Sequence, residues 1–248
     1  MLLQIIRESL TKFFHALDSN ADKLKSLMPI LANTDWKLLA KNFCTPINLC
    51  IAASLIPLFW LLFDVAFDNL GSNPIQALHI RLGDWSLRFV CITLVITPIQ
   101  KITSWRGMAN YRQLFGLYAF FYATLHVLAY LWLDHALVWP IIVTDVAESV
   151  YIWFGLIGYI VLFLLAVTSP KSAKKRMGKS WKKLHRYIYP ASIVIVIHYF
   201  WQLKGNLLNP IFYAILVFLL LAFRVADWYK TRQFNRLMIP KSRNIDDD

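Results

Sequence analysis

The sequence is short of charge. Asp, Glu, Lys and Arg make up 16 % of its 248 residues, against roughly a quarter in an average soluble domain. That shortage argues against a soluble globular protein and, more strongly, against a disordered one. Glycine is scarce too, eight in all, alongside ten prolines. No low-complexity or collagen-like stretch can be built from so few, and no G-x-G-x-x-G opens a helix, so the dinucleotide-binding fingerprint is missing. Cysteines are only three, Cys44, Cys50 and Cys91, with no C-x-x-C and no C-x-x-C-H. An odd number without those spacings argues against a disulfide framework, a redox dithiol and covalently attached haem, and leaves small packing residues. No period of 20–50 residues recurs, which argues against a solenoid.

What the chain has in excess is apolar surface: 58 % of residues, with 15 % aromatic. A helix needs about 20 largely apolar residues to span a bilayer. Six segments qualify: 48–67, 86–102, 114–133, 151–168, 185–203 and 210–226. Lipid offers no hydrogen-bond partners, so such segments must be helices. The expected fold is an all-α integral membrane protein, a bundle of six transmembrane helices.

The net charge of +12 comes from 26 basic against 14 acidic residues. A basic chain can signal nucleic acid, but here the charges lie between apolar runs, so the expected neighbour is membrane lipid. Lys and Arg crowd the segment before the first span, the second and fourth loops, and the tail. Those regions hold 22 of them, against 2 in the alternate loops, Arg81 and Lys204. By the positive-inside rule both termini should be cytoplasmic and the acidic loop 134–149 should face outward. Residues 1–42 lack the pattern of a signal peptide and look like an amphipathic extension.

Six histidines remain. His15, His79 and His135 fall outside the apolar segments and are expected as solvated imidazoles. His126 and His198 lie inside the third and fifth, where ionisable side chains are costly and usually face the bundle interior. Both spans run inside to outside, and each histidine sits about 18–20 Å from the cytoplasmic end at 1.5 Å per residue. Two neutral imidazoles at one depth suit the two axial positions of a haem iron. The plain alternative is a pair of buried histidines bonded to backbone carbonyls. Gly116, Ala119 and Ala123 share the His126 face, which fits either close helix packing or a flat ligand. His185 lies 13 residues before His198, about 20 Å away along a helix, so one haem cannot take both. Arg112 shares its cytoplasmic depth. The two could frame a second haem, with Arg112 at a propionate, or Arg112 could simply snorkel to the interface.

The run Arg176-Met177-Gly178-Lys179-Ser180-Trp181-Lys182-Lys183-Leu184-His185-Arg186-Tyr187, with His198 thirteen residues after His185, resembles the MsrQ (YedZ) family. So does Tyr111-Arg112-Gln113 followed by Phe121-Tyr122-Ala123-Thr124-Leu125-His126. That family is similar to the ferric reductase and NADPH oxidase membrane domains, and the resemblance covers about residues 48–228. It departs at Arg112-Gln113, where many members have two arginines, and at Ser149-Val150, where many have Arg-Pro. The resemblance implies a b-type haem, to which the placement of His185 and Arg112 could add a second, a bound FMN with no residue here to place it, and a bacterial inner-membrane location. His126, His185, His198 and Arg112 match the family's positions. It also implies electron delivery to a periplasmic molybdopterin reductase, MsrP, that repairs methionine sulfoxide in envelope proteins. The domains expected on this basis are an extension at 1–42, a ferric reductase-like transmembrane domain at 43–228 and a basic cytoplasmic tail at 229–248. The few residues after the sixth span leave no room for a flavin- and nicotinamide-binding domain, so electrons should come from a separate donor, which the resemblance implies is the quinone pool or a cytoplasmic flavin reductase. Two other readings stay open: a ferric reductase acting on metal chelates, and a transporter using histidines as proton relays.

Overall fold

The protein is described from a computed structural model covering residues 45–105, 107–202 and 207–238, with isolated positions 8, 11 and 12. The expected extension at 1–42, His15, Cys44, Lys204 and the end of the tail therefore lie outside the described residues, apart from those three positions.

Every regular element among the described residues is helical. In chain order they are α1 (Pro46–Ala66), α2 (Pro74–Thr103), α3 (Met108–Ala129) continued by a π turn (Tyr130–Asp134), and α4 (Trp139–Glu148). Then come α5 (Val150–Val167), α6 (Lys171–Met177), α7 (Lys179–His185), α8 (Ile188–Gln202) and α9 (Leu208–Met238). Five stretches are long and apolar enough to cross a membrane: α1, α2, α3 with its π turn, α5 and α9 through Phe234.

Local chemistry sets the boundaries. Thr45 caps α1 by accepting from the Asn48 N–H at 3.4 Å, with Pro46 in the first turn, where a missing N–H is harmless. Asn73 does the same for α2, accepting from the Gln76 N–H at 3.2 Å just before Pro74. This start lies twelve residues upstream of the expected one, so α2 carries His79, Arg81 and Asp84 on its first turns. Polarity hid them from a hydropathy reading, because their neutralising partners are distant in sequence or lie on the next turn. Arg81 pairs with Asp64 of α1, and Arg88 lies 3.5 Å from Asp84.

The expected fifth span, 185–203, is not one helix. α7 ends at His185 and α8 begins at Ile188. Pro190 explains the break: it cannot donate to the carbonyl of Arg186, and its ring would clash there. Tighter bonds take over, with Tyr187 N–H on Leu184 O at 2.9 Å and Tyr189 N–H on Arg186 O at 3.1 Å. α8 itself has 15 residues. Between α6 and α7, Gly178 adopts φ +54 and ψ −122, a conformation that side chains rarely tolerate. That accounts for the glycine in the Arg-x-Gly-x-x-Trp run.

The chain divides into two compact units. The first comprises residues 1–90 and 110–150, the second 91–109 and 151–248. In the first, Phe89 stacks on Phe115 at 6.0 Å and on Tyr122 at 5.4 Å. Tyr122 donates to Ser54 O at 2.8 Å, and Ser86 donates to Ala119 O at 2.9 Å. Ala119 is buried, so at that position the small residue on α3 serves close packing against α2. In the second unit, Arg224 of α9 donates to the Tyr189 hydroxyl and, at 3.3 Å, to Leu94 O, while Lys101 pairs with Asp227. The helix of Arg224 continues without a break past residue 228.

Asp64 is buried while its partner Arg81 is partly exposed. Arg81→Ala should therefore leave an uncompensated carboxylate and lower stability by about 1–3 kcal/mol. Thermal unfolding in detergent checks this. The double variant with Asp64→Leu should recover much of the loss.

Candidate functional site

His126 stands near the end of α3, half-buried, with its ring against α2. Its Nδ1 lies 3.1 Å from the carbonyl oxygen of His79. A carbonyl oxygen can only accept, so Nδ1 must carry the proton, and in the neutral ring the lone pair then resides on Nε2. The ring passes Gly83, where a Cβ would lie 3.4 Å from Cε1 and Nδ1.

His198 repeats the arrangement in the second unit. Its Nδ1 lies 2.8 Å from the carbonyl oxygen of Tyr151 at the start of α5. Its ring passes Gly155, where a Cβ would come within 2.8 Å of Cε1 and 3.0 Å of Nδ1. The Tyr151 ring stacks nearby at 6.0 Å. Here too Nε2 is the nitrogen with the lone pair.

His185 is held differently. Its Nδ1 faces the carbonyl of Trp181, one turn back on its own helix, at 3.1 Å. The Trp181 indole stacks on the imidazole at 3.9 Å and is itself fixed by donating to Thr168 O at 2.9 Å. Lys174 sits 4.9 Å from the centre of the indole ring. His185 Nε2 is buried with no hydrogen-bond partner among the described residues. Arg112 lies in the second turn of α3, half-buried, on the same helix as His126. The four predicted residues thus fall as Arg112 and His126 in one unit, and His185 and His198 on successive helices of the other.

His126 and His198 present the same chemistry: proton on Nδ1, tethered to a carbonyl of another helix, and lone pair on Nε2. That is the state in which an imidazole ligates a metal, with its other nitrogen fixing ring orientation. Among the described residues no group of three or more His, Cys, Asp or Glu is gathered for a bare metal ion. Haem brings four ligands of its own and asks the protein for one or two, which fits these histidines.

Comparison with known proteins agrees. A family profile described as ferric reductase like transmembrane component matches residues 82–196. The haem-binding subunit MsrQ of a protein-methionine-sulfoxide reductase from Polaromonas naphthalenivorans is 41 % identical over 183 residues, 72 % of this chain and 84 % of that protein. MsrQ from Xanthomonas campestris pv. campestris strain 8004 is 38 % identical over 167 residues, 67 % of this chain and 77 % of the relative. The chain belongs to the MsrQ family. No solved structure matches it.

In this MsrQ-family chain two histidines depart from expectation. His79 is not solvated: it is buried on α2, with Nε2 2.8 Å from Asp134. His135 is not solvated either. Its Nε2 lies 3.1 Å from Asp145 and its ring packs edge-on against Tyr130 at 4.6 Å. Asp145 also accepts from Tyr130 at 2.7 Å and from Ser149 at 3.2 Å. Histidine in a connecting segment reads as solvated only when no carboxylate folds back on it, and here α4 brings Asp145 back.

Sequence reasoning also missed Gly83, Gly155 and the Tyr151 carbonyl. A signal existed: a glycine lies 43 residues before each of His126 and His198.

Burial pushes the Asp145 carboxyl up, but hydrogen bonds from Tyr130, Ser149 and His135 together hold it below its ordinary value. A depressed folded-state value means stabilisation that is full above the unfolded carboxyl's value and is lost as pH falls through the folded one. The stability advantage over Asp145→Asn should be constant above about pH 5 and shrink below about pH 4. Paired melting curves across pH 3–7 check it. An advantage that grows on acidification contradicts the assignment.

Proposed function

We propose that this chain is the haem-carrying membrane subunit of a protein-methionine-sulfoxide reductase, moving electrons across a bacterial inner membrane to a catalytic subunit on the outer side. His126 and His198 are the axial ligands of a b-type haem. Where a second haem is bound, His185 would hold it, with Arg112 at a propionate. When bound, haem supplies one-electron exchange between its ferric and ferrous states. The chain's own residues choose which imidazole nitrogen faces the iron, lock ring rotation, and raise ligand basicity through the carbonyl bonds. The observation that carries this reading is the matched tethering of His126 Nδ1 and His198 Nδ1 to helix carbonyls at 3.1 and 2.8 Å. Membership of a family whose relatives are haem-binding subunits supports it.

The finer parts of the proposal follow the family. The catalytic partner is a periplasmic MsrP-like molybdopterin reductase. The donor is the quinone pool or a cytoplasmic flavin reductase, and FMN is a further cofactor. Six spans with both termini cytoplasmic, and a transmembrane domain over 43–228 flanked by the extension 1–42 and the tail 229–248, complete the topology. The ferric reductase-like match favours one second reading, transfer to other acceptors. Purified protein that reduces Fe(III) chelates with no periplasmic protein present would support it.

The test is a visible spectrum with haem quantified per polypeptide. The wild type should show a Soret band and a ratio of one or two. His126→Ala and His198→Ala should each lose most of the haem between them, and His185→Ala should lower the ratio by one where the wild type holds two. A His198→Ala spectrum identical to wild type rules the ligand assignment out.

A further inference from the structure

The two histidine tethers share a construction that no single residue reveals. The accepting carbonyl belongs to residue i of a helix, His79 in α2 and Tyr151 in α5. Residue i+4 is glycine in both, Gly83 and Gly155. The histidine comes from another helix, 47 residues after the carbonyl in both cases. Helix geometry explains the glycine. The carbonyl of residue i already accepts from the N–H of residue i+4, so its second lone pair is left for an outside donor, and here the imidazole approaches it across the Cα of that residue. A hydroxyl can reach such a carbonyl past a side chain, as Tyr122 reaches Ser54 O beside Leu58, but a Cβ at Gly155 would lie inside the space of the His198 ring.

From this we infer that Gly155 is a positioning residue for His198: its missing Cβ is what lets the imidazole reach the Tyr151 carbonyl and hold Nε2 in its ligating direction. Gly83 does the same for His126, with more room. The inference rests on the haem reading above and adds to it the residues that aim the ligands. At Gly155 the added Cβ would overlap the edge of the ring that faces the carbonyl, at 2.8 Å from Cε1 and 3.0 Å from Nδ1. Relief requires the ring to back away, which lengthens the 2.8 Å bond and turns Nε2. At Gly83 the corresponding gap is 3.4 Å, close to ordinary contact. Glycine weakens a helix interior, so alanine at either site favours the helix itself, and any damage must come from the ring.

Gly158 supplies a matched control one turn along α5. A Cβ there would meet Ile195 Cγ1 of α8 at 2.7 Å, as severe an overlap in the same helix pair, but with no His198 atom within 4 Å. The experiment uses the full-length haem protein. It compares Gly155→Ala, Gly158→Ala, Gly83→Ala and His198→Ala by haem content per folded polypeptide and by low-temperature electron paramagnetic resonance of the oxidised protein. Gly155→Ala should lose at least half of the haem or shift the low-spin ferric signal. Gly83→Ala should shift it less, and Gly158→Ala should keep the wild-type signal on whatever protein folds. Wild-type haem content and signal in Gly155→Ala overturn the inference, as does an equal disturbance in Gly155→Ala and Gly158→Ala. If Gly155→Ala gives no folded protein, the double variant with His198→Ala decides. Recovery of folded apoprotein supports a clash with the ring, and no recovery overturns it. A His198→Ala protein that keeps the wild-type signal overturns the haem assignment itself, and this inference with it. A lost signal in that variant beside an unchanged Gly155→Ala overturns only the glycine's role.

Discussion

A hydrogen bond from an imidazole Nδ1 to the side of a helix is the constraint on which the site depends. An ordinary helix carbonyl is occupied by its own helix. Bringing an imidazole ring as close as these against its second lone pair takes a neighbouring helix at close range and a bare Cα beside the carbonyl. Both conditions are met at His126 and at His198. Glycine in a helix interior is unfavourable by about 1 kcal/mol against alanine. At these two positions the cost is offset by a tether that settles tautomer and ring angle together.

The tether also links the site to the rest of each unit. In the first, the residue offering the carbonyl is His79, whose own ring is held by Asp134 and lies edge-on to His126 at 5.3 Å. The start of α2, the end of α3 and the His126 ring therefore share one network. In the second, Tyr151 offers both its carbonyl and a stacked ring. His185 uses no glycine: its backbone polar contacts are with Trp181 on its own helix and Leu165 of α5. The break made necessary by Pro190 separates it from α8.

Much of this was legible in the sequence. Apolar runs of spanning length announced the helices, and histidines inside such runs stood out because lipid makes an ionisable side chain expensive. The boundaries were less legible where neutralisation is non-local. α2 begins at Pro74 rather than near Ser86, and its polar early turns hid this because the partner of Arg81, Asp64, lies seventeen residues away. The burial of His79 and His135 was hidden for the same reason, since Asp134 and Asp145 become their partners only when the π turn and α4 fold back. The glycines were hidden because their meaning lies in a contact between helices.

The central proposal is that His126 and His198 each offer Nε2 to a haem iron, with each Nδ1 still on its carbonyl. A high-resolution experimental map of the haem-loaded protein in a lipid environment tests it most directly. The account predicts one iron between those two nitrogens, with Gly83 and Gly155 against the rings. Iron held through Nδ1, or by residues other than these, would contradict it.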